Sequence, residues 1–401
     1  MSQPTEGQPM VLQEDRFARH QSIKWWDQQA LTNARVLVIG AGALGNEVIK
    51  NLALLGVGHL AIADMDKIEA SNLSRSVLFR ESDEGHLKTV TAAKAALALY
   101  PTLNVHVIDG NVLSDLGLGW FRWAQVIVGA LDNREARLFV NQCCIQTQKP
   151  WVDGGLDVLN GIVRGFDAPR TPCYECTMGN ADWQLVNQRR SCSLLARQAF
   201  DAGGVPTTIT TASVIGAMQA QEVIKRLHQL DCLDGSGFVY EGLRHTSYPI
   251  QYTQGKNCPW HEESTSIQSV NTFDSDTPLD QIAQWATEKL HGLDAIDLSR
   301  ELVQTLTCPK CQNEREIFMP VDRLKTSTLV CETCQEECVP AFVHSIMPDS
   351  PLMQRTAKAL GLPAWDVLWA RRGMDGLGIE LSGDQEKQLQ TSQIHASNPE
   401  G

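Results

Sequence analysis

The sequence predicts an α/β protein. It reads as a doubly wound, mainly parallel sheet with added antiparallel strands, followed by a small C-terminal domain organised around paired cysteines. Three observations carry this. Aliphatic and β-branched runs alternate with helical patterns from Ala34 onward, a glycine-rich turn joins the first run to the first helix, and two late C-x-x-C pairs stand 19 residues apart. Buried parallel strands linked by crossover helices have this near-continuous apolar character.

In order, "RVLVIG", "HLAIAD", "VHVIDG" and "QVIVGA" are the parallel strands, and "LGNEVIKNLALLG" and "HLKTVTAAKAALALY" the helices between them. "LDNREARLFVNQCCIQTQ" is a helix whose first turn is capped by Asp132 or Asn133. "PWVDGGL", "NGIVRGFD", "FVYEGL" and "YPIQYT" are shorter strands of antiparallel type, and "PTTITTASVIGAMQAQEVIKRL" is a buried helix. The polar "HEESTSIQSVNTFDSDTP" breaks the pattern. The expected organisation is therefore a first domain over 1–262, a linker over 263–278, a C-terminal cysteine-paired domain over 279–382 and a disordered tail over 383–401.

Lys and Arg total 34 against 47 Asp and Glu, a net charge of −13, which argues against a nucleic-acid partner. No run of about 20 apolar residues predicts a membrane span, and the first residues lack the pattern of a secretory signal. Seven of the twelve cysteines belong to pairs of the C-x-x-C or C-x-x-H kind. Without an export signal, such pairs indicate metal sites rather than disulfides, and a cytoplasmic compartment.

Gly40, Gly42 and Gly45 form a G-x-G-x-x-G turn between strand and helix, suited to the pyrophosphate of a dinucleotide or the phosphates of ATP. Asp64, 19 residues after Gly45, is placed to accept bonds from ribose hydroxyls and fits either ligand. The residues beyond it favour nucleotidyl transfer. Asn72, Arg75 and Lys88 supply a polar and cationic cluster, and Asp132 follows the fourth strand as a Mg²⁺ ligand. Charge that builds on an α-phosphate under attack by a carboxylate needs fixed cations and a metal, whereas hydride transfer does not.

Residues from about Arg16 to His261 resemble the ThiF-type adenylating superfamily, which includes ubiquitin-activating enzymes and the activators of sulfur-carrier proteins. The matching pieces are "RFARH", "GAGALG", "DMDKIEASNLSR", the lysine of "GHLK", "LDN" with Arg137, and the first C-x-x-C. The resemblance implies a Rossmann-like adenylation domain that uses ATP and Mg²⁺. It also implies a ubiquitin-like β-grasp partner adenylated at its C-terminal glycine, and a homodimer. Carried onto this chain, Gly42 lies against the phosphates and Asp64 binds the ribose. Asn72, Arg75 and Lys88 face the phosphates, Asp132 holds the metal with Asn133 beside it, and Arg19 reaches into the partner subunit's site. Ser76 departs from the pattern, which usually has glutamine there.

Cys308, Cys311, Cys331 and Cys334 have the spacing of a closed, structural four-cysteine Zn²⁺ site. For Cys173 and Cys176 the superfamily supplies a second pair downstream, where this chain has Cys258 and His261. The superfamily's acyl-accepting cysteine sits in a crossover loop, and Cys192, with Arg189, Arg190 and Arg197 nearby, occupies that interval. Cys143 and Cys144 read as packed helix residues, and Cys338 as a small buried one or an alternative ligand. The C-terminal zinc segment is expected to recruit the carrier or a downstream conjugating enzyme. The rival expectation is a sulfur-carrier adenylyltransferase for molybdopterin or thiamine synthesis, which needs no enzyme thioester. A non-catalytic subunit and an NAD-dependent oxidoreductase fit less well, because neither accounts for Arg75, Lys88 and Asp132 together.

Overall fold

The computed structural model describes residues 15–167, 169–191, 206–261 and 265–395. Helix α1 (Gln28–Thr32) precedes β1 (Arg35–Ile39), α2 (Ala43–Leu54), β2 (His59–Asp64), α3 (Lys88–Leu99), β3 (Asn104–Asp109), α4 (Leu118–Trp123), β4 (Val126–Gly129) and α5 (Arg134–Gln146). Then follow β5 (Trp151–Asp157), β6 (Asn160–Phe166), α6 (Asn180–Ser191), α7 (Ile209–Leu227), β7 (Ser236–Glu241) and β8 (Thr246–Gln251). The C-terminal part comprises β9 (Ile267–Ser269), α8 (Leu279–Leu290), β10 (Ala295–Thr307), β11 (Glu314–Pro320), α9 (Thr326–Leu329) and β12 (Val339–Ile346). It ends with β13 (Val367–Arg372), β14 (Asp375–Glu380), α10 (Gln385–Ser392) and β15 (Gln393–Ile394).

Among the described residues the first sheet runs β15-β3-β2-β1-β4-β5-β6-β7-β8. Strands β3, β2, β1, β4 and β5 are parallel, and β6, β7 and β8 extend the sheet antiparallel, as the sequence predicts. Strand order reverses between β1 and β4, and open α/β sheets bind ligands at the carboxyl ends of such a switch point. The sheet is covered on both faces. Val36 and Val38 of β1 join the core beneath α2, α3 and α7, while Leu37 and Ile39 join the opposite core with α4 and α5. This two-sided burial is why the strands read as unbroken apolar runs.

The second sheet runs β11-β10-β13-β14-β9, with β12 paired to β10. Helix α8 seals it with Leu279, Ile282, Ala283 and Ala286, one apolar helical stripe. Trp365 and Val367 enter the α4–α5 core, so the two sheets share that packing. Two expectations change here. The segment expected as a linker contributes β9, which pairs parallel with β14, and it buries Val270 and Phe273. The segment expected to be disordered from 383 forms α10, and its Gln393–Ile394 pairs antiparallel with His106–Val105 of β3. Both are too polar to nucleate alone and are held by tertiary pairing. No helix among the described residues is long and apolar enough to cross a membrane.

Candidate functional site

Register assembles the site. Ile39 pairs with Ala63 on one side and Gly129 on the other, so β1, β2 and β4 end level and present Gly40, Asp64 and Ala130 at one edge. The three glycines serve different needs. Gly40 has φ +99°, and an added Cβ would strike the Ala130 carbonyl. A Cβ on Gly45 would lie 1.9 Å from the Gly40 oxygen, so this glycine permits helix–strand contact and does not line the cleft. A Cβ on Gly42 would meet nothing within 4 Å. Gly42 is also the N-cap of α2 with no side-chain cap, leaving the first-turn N–H groups available to an anion in the open space above it.

That space is a cleft of about 770 Å³, lined by Gly40, Gly42, Asp64, Asn72, Arg75, Lys88, Asp132 and Asn133 among others. It is of the size that takes a small ligand. Asp64 is fixed at the end of β2, where its carboxylate accepts from Ala41 N at 2.7 Å and Asp66 N at 2.8 Å. Burial holds its carboxyl above the ordinary aspartate value, against the opposing pull of Lys88. Lys88, the first residue of α3, is 8% exposed and donates to Asp66 Oδ2 at 2.7 Å. Arg75 donates to the Ser71 carbonyl at 2.8 Å, and Asn72 Oδ1 accepts from Glu69 N at 3.0 Å, which fixes the loop that carries both. Asp132 is exposed and accepts from Asn133 Nδ2 at 3.1 Å, while Asn133 Oδ1 caps α5 through Ala136 N. Asn133 is thus the cap residue.

A charge network behind the cleft wall, centred on Asp153 and reaching the cleft through Arg137 and Arg164, was not anticipated. Asp153 of β5 is fully buried and accepts from Arg137 Nε at 2.8 Å and Arg164 Nε at 2.9 Å. Arg137 also donates to the Leu131 and Gly154 carbonyls, so its donors are occupied in the cleft wall. Arg164 stacks over Tyr174 at 4.9 Å. The signal was available: a charge stands inside each of the apolar strands "WVDGGL" and "NGIVRGFD". Ser76 is buried, and its Oγ has no hydrogen-bond partner among the described residues. Arg19 is exposed beside a one-turn 3₁₀ helix and does not line its own chain's cleft.

Neither of two cysteine clusters lines the cleft. Cys173, Cys176, Cys258 and His261 bring one ligand atom each within 4.8 Å of the others, as do Cys308, Cys311, Cys331 and Cys334. Cys173 Sγ is 3.8 Å from Cys176 Sγ and 3.6 Å from Cys258 Sγ, and Cys176 Sγ is 3.1 Å from His261 Nε2. In the second cluster the contacts run from 3.3 Å (Cys308–Cys334) to 3.8 Å (Cys311–Cys334). Disulfide sulfurs lie about 2.05 Å apart, whereas tetrahedral thiolates at about 2.3 Å from Zn²⁺ are separated by about 3.7 Å. The donor sets therefore suit a tetrahedral ion. His261 Nδ1 lies 3.3 Å from the Pro169 carbonyl, an outer contact that aims Nε2 inward. Cys338 is buried beside the second cluster but outside its ligand set. Burial pushes the Cys143 and Cys144 thiols up, in keeping with packed helix residues. Cys192 lies outside the described residues.

Fold and cleft together define a nucleotide-binding domain of the doubly wound class. The ThiF family model matches residues 15–259, and the chain belongs to the ThiF family. The SAMP-activating enzyme E1 of Haloferax volcanii is 30% identical over 66% of this chain and 94% of its own length. The adenylyltransferase and sulfurtransferase MOCS3 of Dictyostelium discoideum is 33% identical over 54% of this chain, and the match spans 48% of that protein. The sulfur carrier protein adenylyltransferase of Thermus thermophilus is 30% identical over 58% of this chain and 83% of its own length. Among solved structures, E. coli MccB with ATP shares the fold at a TM-score of 0.52 and 22% identity, over 63% of this chain and 75% of that one.

Proposed function

We propose that this chain is an ATP-dependent adenylating enzyme that activates the C-terminal glycine of a ubiquitin-like β-grasp protein, and that Cys192 then takes the acyl group. One observation carries the reading: an uncapped helix N-terminus, a strand-end acid, two cations and an exposed acid converge on one cleft. In the reaction, the carrier's carboxylate oxygen bonds to the α-phosphorus, the bond to the bridging oxygen breaks, and pyrophosphate leaves. The first turn of α2 receives phosphate oxygens above Gly42. Asp64 accepts from ribose hydroxyls, Asn72 donates beside the phosphates, and Arg75 and Lys88 oppose the charge that builds there. Asp132 would hold Mg²⁺, which neutralises phosphate charge when bound. The Cys192 thiolate then attacks the acyl carbon and AMP departs.

The test is ATP–pyrophosphate exchange against glycine-ending β-grasp proteins, followed by a nonreducing gel. Exchange dependent on such a protein supports adenylation, and a thiol-sensitive adduct lost in Cys192→Ala supports the thioester. A carrier thiocarboxylate with no enzyme adduct would instead establish the sulfur-carrier reading, which the named relatives in Thermus and Dictyostelium favour. No exchange with any carrier would sink both.

The clusters' spacing supports two structural Zn²⁺ ions per chain. Metal analysis should return two zinc per chain, and one in Cys308→Ser; a value of zero for the native protein refutes this. The exposed Arg19, outside its own cleft, supports a homodimer in which it serves the partner's site. Mixing inactive Arg19→Ala and Asp132→Asn chains should restore exchange, and no restoration in proven mixed dimers would refute the shared site.

A further inference from the structure

We propose that the C-terminal domain is part of the nucleotide site, with Arg300 of β10 acting as a positioning residue that holds the cleft wall between β3 and α4. The proposal rests on the nucleotide reading of the cleft given above. It concerns shape at the site itself, apart from any recruitment of partners.

The loop after β3 contributes Gly110, Asn111 and Val112 to the cleft, beside Asp64. Gly110 N donates to the Asp64 carbonyl at 3.1 Å, so this loop is tied to the residue placed to bind ribose. From behind, the same loop is gripped by the C-terminal domain. Arg300 donates to the Leu113 carbonyl at 3.0 Å and the Leu116 carbonyl at 3.1 Å, and its guanidinium lies over Phe139 of α5. Its side chain is 4% exposed and pairs with the fully buried Asp366, which also accepts from Leu118 N at 3.0 Å and from Ser299 Oγ at 2.5 Å. Arg300 therefore fixes both the wall loop and the helix whose N-terminus carries Asn133.

A second grip continues to the cleft. Arg323 Nε donates to Asp115 Oδ1 at 2.7 Å, and Asp115 Oδ2 accepts from Asn111 N at 2.7 Å. Asn111 Oδ1 in turn accepts from Leu113 N at 3.0 Å. A Cβ on Gly110 would lie 2.5 Å from Asp115 Cβ, so the acid packs directly behind the wall. Two further glycines permit the docking. A Cβ on Gly117 would lie 2.5 Å from the Ala364 carbonyl, and one on Gly119 would lie 2.4 Å from the Trp365 ring. A domain attached only for recruitment has no need to satisfy the backbone carbonyls of a loop that lines another domain's cleft.

The experiment measures MgATP affinity by calorimetry and amide exchange over residues 110–117, on full-length zinc-loaded protein. Arg300→Met should weaken MgATP about tenfold, the loss of one charged hydrogen-bonding group, and Arg300→Lys should recover part of it. Arg323→Ala, at a half-exposed residue outside the buried cores, should weaken binding about two- to threefold and speed exchange in the loop while α2 amides stay protected. Wild-type MgATP affinity in folded Arg300→Met or in Arg323→Ala overturns the proposal, whatever happens to the melting temperature. If native protein binds no MgATP at all, the nucleotide reading and this proposal fall together; if native protein binds and the variants bind equally, only this proposal falls.

Discussion

The strand-end cleft and the seam between the two sheets are both rich in charge, and the partners of those charges differ. In the seam, Arg300 and Asp366 are mutually paired and hydrogen-bonded, Arg122 Nε meets Glu380 at 2.7 Å, and Trp365 Nε1 donates to the same carboxylate at 2.6 Å. In the cleft, Asp132 is exposed with a single neighbouring amide donor, and Arg75 bonds only to a carbonyl of its own loop among the described contacts. Closed pairs cost desolvation that their partners offset, and they fix shape. Groups left open at a strand end are available to a ligand. Arg137 shows that position alone does not decide: it lines the cleft, yet its donors are closed onto Asp153 and two carbonyls.

The largest effect expected from this division is in the seam. Asp366→Ala leaves a buried guanidinium without its carboxylate, and loss of one partner of a buried pair costs about 3–5 kcal/mol. Urea unfolding should show that loss and MgATP affinity should fall as the Arg300 grip loosens, while kcat at saturating MgATP stays unchanged in the protein that remains folded. A stability change under about 1 kcal/mol together with a fallen kcat would break the comparison. Asp132→Asn tests the other side. It should lower carrier-dependent exchange roughly 100-fold while leaving the urea midpoint in place, because an exposed carboxylate with one amide partner contributes little to the fold. A shifted midpoint with intact exchange would assign Asp132 to structure.

The same distinction explains what could be read in the chain. The parallel strands were legible because burial on both faces leaves each an unbroken apolar run, and the first turn because Gly40 and Gly45 each answer a local steric demand while Gly42 leaves open space above the helix N-terminus. Asn72, Arg75, Lys88 and Asp132 were legible because they follow strand ends, and register alone then brings them to one edge. The lone charges Asp153 and Arg164 stood out in their apolar strands, but their pairing was not legible, since the two-residue Val158–Leu159 turn that sets the β5–β6 register carries no glycine or asparagine signal. The seam was the least legible part. Arg300 finds Asp366 across 66 residues, and strands β10 to β14 carry enough polar residues that only the folded partner shows which face is buried. The tail misled for a related reason: α10 is too polar to fold alone, and β15 is two residues that borrow the edge of β3.

That borrowed edge sets the smallest expected effect. His106 of β3 is 4% exposed, and its Nδ1 lies 3.0 Å from Ser392 Oγ at the end of α10. Burial, with a lesser push from His59, holds its pKa down to about 4, against a backbone hydrogen bond with Leu389. An unfolded histidine takes up its proton near pH 6.5, before the folded one does, so acid favours the unfolded chain. Stability from this residue is full above pH 6.5, falls as the pH drops towards 4, and is lower by roughly 1–2 kcal/mol at pH 5.5. His59, lowered by burial and Arg35, adds a decline in the same direction. His106→Gln should therefore flatten part of the acid limb in urea titrations between pH 6.5 and 5, and amide exchange should show α10 and β15 loosening first in the native protein. An acid limb identical in the variant would mean that the tail is held by its strand pairing and not by the neutral imidazole.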